Sequence, residues 1–323
     1  MLSYPDFAEK QLIFIHCEWG VRSSLSILNR NVVYKKDGEV AAKVSLYKIF
    51  VIFVMGDVSL TTKFIAACQE YGVSIILMKQ NFNVITEVIS QAEGNFLLRH
   101  KQYMSREEDD LRFAKILVDN KVCNQLKLMC SVNNSVGAYK ELKKEAVQKI
   151  RSASDRYELS GIEGSYARKY FSVYFAELDW WKRAPRTRVD IPNVLMDIGY
   201  TQLFYFVEAL LRVHGFDTYK GCYHQLFYAR KSLACDIMEP FRPVIDRAIR
   251  KMYTLGILDQ KDFSKKNGMY ELSWALSKKY NQYFLQEIMN QKEEIFGYVR
   301  KYYRHTMNSE DNKFPQYRLI ARV

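Results

Sequence analysis

No proline occurs between residues 6 and 184. Proline is the residue that most firmly stops a helix, so this stretch is free to build long ones. The chain uses that freedom unevenly. Up to about residue 90 it is written in short β-branched and aromatic runs, KQLIFIHCEW, SLSILNRNVVYKK and EVAAKVSLYKIFVIFV, which read as strands. Asp37-Gly38 lies between two of them and predicts a hairpin turn. DVSLTTKFIAACQEYG predicts one short helix, with Ser59 or Thr61 as its cap and Gly72 as its end. VSIILM at 73–78 returns to strand. The run IFVIFVM at 49–55 is too short for a bilayer span, which needs about 20 residues, and predicts a buried strand.

After Gly94 the pattern changes to helical periodicity, with helices expected near 95–119, 121–131, 137–158 and 160–178. Pro185 and Pro192 mark a loop. Asp190 is placed to cap the next helix, with Pro192 in its first turn and an end near Val213. The remainder reads as helix to about residue 307. The tail SEDNKFPQYRLIARV has little pattern and is expected to be irregular or frayed. The expected fold is α+β and multidomain: a small β-rich N-terminal domain over 1–93, then a larger all-α domain over 94–323. That division fits the domain sizes usual for 323 residues,.

The formal net charge is +12. Such a surplus favours an anionic partner, nucleic acid or an acidic membrane surface. No amphipathic basic helix with a clean apolar face is visible, which ranks the membrane last. No two of the six cysteines form a CxxC pair, which argues against a zinc cluster and for reduced thiols in a cytosolic protein. No segment near the start reads as a secretory signal. There is no GxGxxG, no GxxxxGK[ST] and no GxSxG, so neither a nucleotide-cradling loop nor a hydrolase elbow is expected.

Four stretches carry chemistry. In SLACDIMEPFRP, Asp236 and Glu239 stand three residues apart, on one face of a helix,. A like-charged pair is unfavourable alone, and a bound cation turns it into a ligand set. The other reading is a solvated pair, or one matched with Arg230 or Arg242. His224 follows the turn GFDTYKG, placed to point into a cleft or to bond a backbone carbonyl. Glu163 lies between two glycines in GIEGSYARKYF. A helix N-terminus would explain the carboxylate. The glycines ask for close approach of a helix or a ligand, since each costs about 1 kcal/mol inside a helix. Finally, WWKRAPRTRVD puts Lys182, Arg183, Arg186 and Arg188 beside Trp180 and Trp181. Arginine forks onto phosphate and tryptophan stacks on bases. The bland alternative is a solvated basic loop over core tryptophans.

In order, GIEGSYARKYF, RAPRTRVDIPNVLMDIGYTQL, GFDTYKGCYHQ and SLACDIMEPFRPVID resemble the CRISPR-associated integrase family, the catalytic subunit of the complex that captures new spacers. The likeness is strong over about 160–246, and the β-then-α order before it also fits. The resemblance implies a metal-dependent DNA site in the helical part. Glu163, His224 and Glu239 fall on the metal-ligand positions, and Asp236 on the acidic position one turn earlier. Some members carry aspartate as the third ligand, where this chain has Glu239. Which of Asp236 and Glu239 is the main ligand stays open. Asn193 and Tyr200 fall near the site, and Tyr200 joins Lys182, Arg183, Arg186 and Arg188 as an expected DNA contact.

Two carboxylates and an imidazole suit Mn²⁺, or Mg²⁺ with water completing its shell. The implied reaction is attack by a DNA 3′-OH on a phosphodiester at a CRISPR repeat, with endonuclease activity if water attacks instead. The implied partners are double-stranded DNA (spacer fragment and repeat), a second copy of the chain, and a small second adaptation protein bridging two dimers. The implied location is the prokaryotic cytoplasm, with no membrane.

Overall fold

The computed structural model describes residues 3–90, 92, 94–132 and 136–320. After a short helix, α1 (Tyr4–Ala8), come β1 (Gln11–His16), β2 (Ser23–Leu28), β3 (Asn31–Lys36), β4 (Glu39–Ser45), β5 (Ile49–Met55) and β6 (Ser59–Leu60). Helix α2 (Thr62–Glu70), β7 (Ser74–Met78) and β8 (Val84–Val88) follow. Asp37 and Gly38 both take positive φ, 48° and 89°, as the tight turn between β3 and β4 requires. Thr61, not Ser59, caps α2, its hydroxyl accepting from Phe64 N at 3.1 Å.

Two four-stranded sheets result, in the orders β1-β5-β7-β8 and β4-β3-β2-β6. β5 is buried along its whole length. Phe50, Val51, Phe53 and Met55 pack into the large core shared with the helices, while Ile49, Ile52 and Val54 face the small core between the sheets. A strand covered on both faces has no polar side, which is why IFVIFVM is continuous.

The helical part comprises α3 (Phe96–Tyr103), α4 (Glu107–Val132), α5 (Val136–Ser152), α6 (Arg156–Tyr174), α7 (Ile191–Val213), α8 (Ser232–Met238) and α9 (Arg242–Thr254). The hairpin β9 (Phe263–Lys266) and β10 (Met269–Leu272) then precedes α10 (Trp274–Met289) and α11 (Lys292–Met307). The expected change from strand to helix falls between Val88 and Phe96, and residue 93 itself lies outside the described residues.

Two expectations fail and a third is met only in part, each for a physical reason. The helix break expected at residue 120 lies instead at 104–106, and α4 runs unbroken for 26 residues. Four acidic residues, Glu107 to Asp110, fill its first turn and suit the positive end of the helix dipole. Its periodicity is obscured by Asn120, Lys121, Asn124 and Gln125, which are polar yet buried. The helical part also contains the β9–β10 hairpin, turned by Asn267 and Gly268 at positive φ. The tail is irregular over its described residues, one of the two expected alternatives, but it is held to the core rather than frayed. Phe314, Tyr317 and Leu319 are buried, and the Tyr317 and Leu319 amides donate to the Oδ1 atoms of Asn120 (3.1 Å) and Asn124 (2.9 Å).

Asp190 caps α7 as its sequence implies, accepting from Asn193 N at 2.7 Å. Among the described residues α7 is the one helix long and apolar enough to cross a membrane, but 78% of that stretch is buried inside the protein, so it serves as the core helix. None of the six cysteines is paired.

Candidate active site

Helix α6 begins at Arg156, capped by Asp155, whose side chain accepts from Glu158 N at 2.8 Å. Glu163 is therefore two turns into the helix, too deep for the dipole to account for it. A Cβ added at Gly161 or Gly164 would meet nothing within 4 Å. No helix crowds these glycines, and Gly164 instead lines a cavity.

The loop between α7 and α8 is shaped by one carboxylate. Asp236, fully buried on α8, accepts from the backbone N–H groups of Cys222 (2.7 Å), Tyr223 (2.9 Å) and His224 (3.0 Å). It also accepts from His224 Nδ1 at 2.6 Å. A carboxylate already taking three N–H donors can only accept from the ring, so Nδ1 carries a proton and Nε2 is the ring nitrogen that Asp236 leaves unengaged. Gly221 is required here, because a Cβ would stand 2.5 Å from Asp236 Oδ2. Both oxygens of Asp236 are thus spent on the loop. Its expected part as a group touching the reaction gives way to one of positioning His224.

Glu239 follows α8 in a short turn with Pro240 and is buried. One oxygen pairs with Arg242 Nη2 at 3.1 Å. The other, Oε2, lies 2.7 Å from the Lys121 ammonium, off the line a hydrogen bond needs, and has no hydrogen-bond partner within the protein. Lys121 also bonds Glu163 Oε1, while Glu163 Oε2 accepts from the Tyr223 hydroxyl at 3.0 Å. Burial works against the Glu239 charge, but Arg242, Lys121 and His224 outweigh it and pull its pKa down to about 2. Burial likewise opposes the Lys121 charge, and Glu239 and Glu163 overcome it, so the pKa is raised. Glu239 and Lys121 are thus both held in their charged forms at neutral pH.

Glu163 and Glu239 therefore meet at one place, with a lysine ammonium between them, and His224 is near enough for its ring to act on the Glu239 charge. Among the described residues no three His, Cys, Asp or Glu side chains stand ready-made as a metal site. The donor chemistry nevertheless fits a hard divalent cation. Two carboxylates already converge on one positive charge, one carboxylate oxygen lacks a hydrogen bond, and an imidazole has one nitrogen fixed by a carboxylate.

Beside this place opens a cavity of about 460 Å³, lined by Lys121, Gln125, Glu163, Arg168, Trp180, Trp181, Lys182, Arg183, Tyr200 and Arg242 among others. Gln125 Oε1, Trp180 Nε1 and Arg242 Nε are buried with no partner within the protein. The expected DNA contacts divide. Trp181 is 70% exposed, with the Lys182 ammonium 4.1 Å from its ring centre. Arg183 is committed to Asn193 Oδ1 (2.7 Å) and Asp197 Oδ1 (2.9 Å), and Arg188 to the Asn81 carbonyl (2.7 Å). The Arg186 amide is held by Asp197 Oδ2 (2.8 Å) while the residue stays exposed. Tyr200 is buried with its hydroxyl donating to Asp246 and its ring beneath Arg183 and Arg242. Asn193 braces the loop from below, donating to the Lys182 carbonyl at 2.8 Å. Arg183, Arg188 and Tyr200 thus do structural work that the composition of the segment did not reveal.

Sequence reasoning missed Lys121, Gln125 and Arg168. The available signal was the polar set at 120, 121, 124 and 125, which falls on one stripe of a helix,.

Residues 20–289 match the family model described as CRISPR associated protein Cas1. The CRISPR-associated endonuclease Cas1 1 of Thermodesulfovibrio yellowstonii is 26% identical over 292 residues, covering 86% of this chain and 91% of the relative. The casposase bound to integration product shares the fold at a TM-score of 0.78 and 20% identity, over 96% of each chain. A chain of the Cas6-RT-Cas1--Cas2 complex does so at 0.78 and 23% identity, over 97% of this chain and 36% of that longer one. With the family match running through both sheets, the glutamate of α6, the histidine loop and the helix that carries Asp236, the chain belongs to the Cas1 family of CRISPR-associated proteins.

Proposed function

We propose that the chain is a metal-dependent DNA integrase that inserts spacer DNA into a CRISPR array. The observation that carries the reading is the convergence of Glu163 and Glu239 on a single positive charge, beside a histidine locked by Asp236. Glu163, Glu239 and His224 Nε2 would hold Mn²⁺ or Mg²⁺. The bound ion would supply Lewis acidity at the phosphorus and lower the pKa of the attacking hydroxyl.

The reaction is a transesterification. The 3′ oxygen of the incoming strand forms a bond to phosphorus, the bond from phosphorus to the repeat's 3′ oxygen breaks, and the proton of the attacking hydroxyl ends on the leaving oxygen. One ester bond replaces another, so no nucleotide triphosphate is consumed. The chain's own groups position the DNA. Lys182, Arg168 and the exposed Arg186 offer charge to phosphates, and Trp181 offers a stacking face. Gln125 Oε1 and Trp180 Nε1 offer an acceptor and a donor for a nucleotide entering the cavity. With water as nucleophile the same site would cleave DNA, a second reading supported by the endonuclease name of the T. yellowstonii relative.

The proposed partners are double-stranded DNA, a second copy meeting the first through residues 1–93, and a small second adaptation protein. The last rests on the Cas1--Cas2 complex among the structural relatives. The edge strand β4, exposed with Val40 at its surface, offers pairing groups for the dimer. The proposed location is the prokaryotic cytoplasm.

The test is strand transfer. Protein, with and without the small partner, is mixed with Mn²⁺, a labelled duplex with free 3′-OH ends and a supercoiled plasmid carrying a CRISPR repeat. Label should join the plasmid, and should not when the duplex is 3′-blocked or when His224→Ala or Glu163→Ala is used. Cleavage that ignores the 3′ block would make the chain a nuclease first. DNA binding with no joining or cutting under any metal would reduce it to a scaffold.

A further inference from the structure

Lysine is almost never buried unless its charge is matched, and Lys121 is buried on the long helix α4. Its ammonium bridges Glu163 Oε1 and Glu239 Oε2. The other oxygen of each carboxylate is already engaged, Glu163 Oε2 by Tyr223 and Glu239 Oε1 by Arg242. The two oxygens left for a divalent cation are therefore the two that the ammonium holds. Both cations cannot occupy that place, because like charges at contact distance repel strongly where water is excluded.

We infer that Lys121 is an exchangeable internal counter-ion, which holds the Glu163–Glu239 pair together in the metal-free protein and binds it in competition with the metal. This rests on reading Glu163 and Glu239 as ligands. Without the ammonium the two carboxylates would repel each other in a nearly buried setting. With a divalent ion present, the ammonium has somewhere to go. Lys121 lines the adjoining cavity together with Arg168, Lys182 and Arg242, and its four-carbon stem can turn the charge into that space. There it would face an entering phosphate. The exchange would keep the free protein folded around a closed ion pair and release a cation toward DNA when the metal arrives.

The sign of one measurement separates this role from that of a simple pillar. Mn²⁺ binding is measured calorimetrically, without DNA, on the wild type, Lys121→Met and Glu239→Gln. Exchange predicts that Lys121→Met binds Mn²⁺ more tightly than wild type, by roughly tenfold or more, since the ion no longer displaces two charge-assisted contacts. It also predicts a lower melting temperature for Lys121→Met without metal, with saturating Mn²⁺ closing most of the gap. Unchanged or weaker Mn²⁺ binding by Lys121→Met would overturn the exchange. If the wild type binds and Glu239→Gln does not, that failure leaves the ligand reading standing. If neither the wild type nor Lys121→Met binds Mn²⁺, the ligand reading falls and the exchange with it. Should Lys121→Met not fold, Lys121→Gln keeps the stem polar and is judged by the same sign.

Discussion

Replacing Asp236 by asparagine tests the division of labour between the two acidic residues. The carboxylate accepts four hydrogen bonds, three from backbone amides and one from the His224 ring. Hydrogen bonds to a charged group contribute about 1.5–3 kcal/mol each. An amide keeps one oxygen, which can accept two of the four, and turns an NH₂ against the other donors. Simple addition would put the loss near 3–6 kcal/mol, but the loop can swing into water and recover part of it. About 3 kcal/mol of loop anchoring is the expected loss, close to the low end for breaking a buried charged contact.

Because the loop can detach on its own, the expected readout is local. Mn²⁺ affinity should fall about 10–100-fold, the usual effect of losing a residue that orients a metal-binding histidine, and strand transfer should fall with it. DNA affinity should hold, since Asp236 does not reach the cavity. Gly221→Ala gives an independent check. Its added methyl would stand 2.5 Å from Asp236 Oδ2, so it should displace the same carboxylate without changing any charge. Metal affinity and strand transfer within about twofold of wild type in Asp236→Asn, far inside the expected range, would refute the idea that this carboxylate sets the histidine.

Four further substitutions have defined outcomes. Burial raises the Asp246 carboxyl to about 6 although Tyr200 and Tyr170 donate to it. A folded pKa above the unfolded one contributes stability that is complete below about 3.9 and lost as pH rises through about 6, to the extent of about 3 kcal/mol. Asp246→Asn should therefore flatten the fall in urea stability between pH 4 and 7, and an unchanged slope would dismiss the assignment. Lys231→Ala should cost about 1.5–3 kcal/mol in urea unfolding, the value of one contact to a charged group, because the fully buried Glu208 still keeps Arg212 and the Thr218 hydroxyl,; a loss below about 1 kcal/mol, the level of an exposed pair, would show that Arg212 alone holds the carboxylate. Trp181→Ala should weaken DNA binding by about 1–3 kcal/mol with little effect on melting, and Lys182→Ala should lower the salt slope by about one charge. Unchanged binding curves would remove both from the DNA path.

What the sequence made legible follows the range of each interaction. The Asp37-Gly38 turn, the Thr61 and Asp190 caps and the β5 strand depend on neighbours a few residues away, and their signals are local. The order of motifs that carries the family likeness is also readable along the chain. Whether an arginine faces DNA or a neighbouring carboxylate is not local. Arg183 and Arg188 look alike in WWKRAPRTRVD, and only the distant Asp197 and Asn81 show that both are engaged. Asp236 and Glu239 share a helix face by spacing, yet one points at a loop and the other at a lysine on α4. Lys121 was missed because its partners lie far along the chain, and the polar set at 120, 121, 124 and 125 reads as a break between two helices.

The docked tail has a consequence for how the molecule comes to be assembled. Asn120 and Asn124 flank Lys121 on α4, and both are held by amides of Tyr317 and Leu319, nearly two hundred positions later. Closing so large a loop carries an entropic cost that early, local structure does not offset. Helix α4 can wind before then, but its polar stripe acquires its last partners only when the 314–319 segment returns. The Glu163–Glu239 pair across Lys121 should accordingly reach its final spacing among the last events of folding. A chain halted short of that point would have its secondary structure in place and its chemistry still dormant.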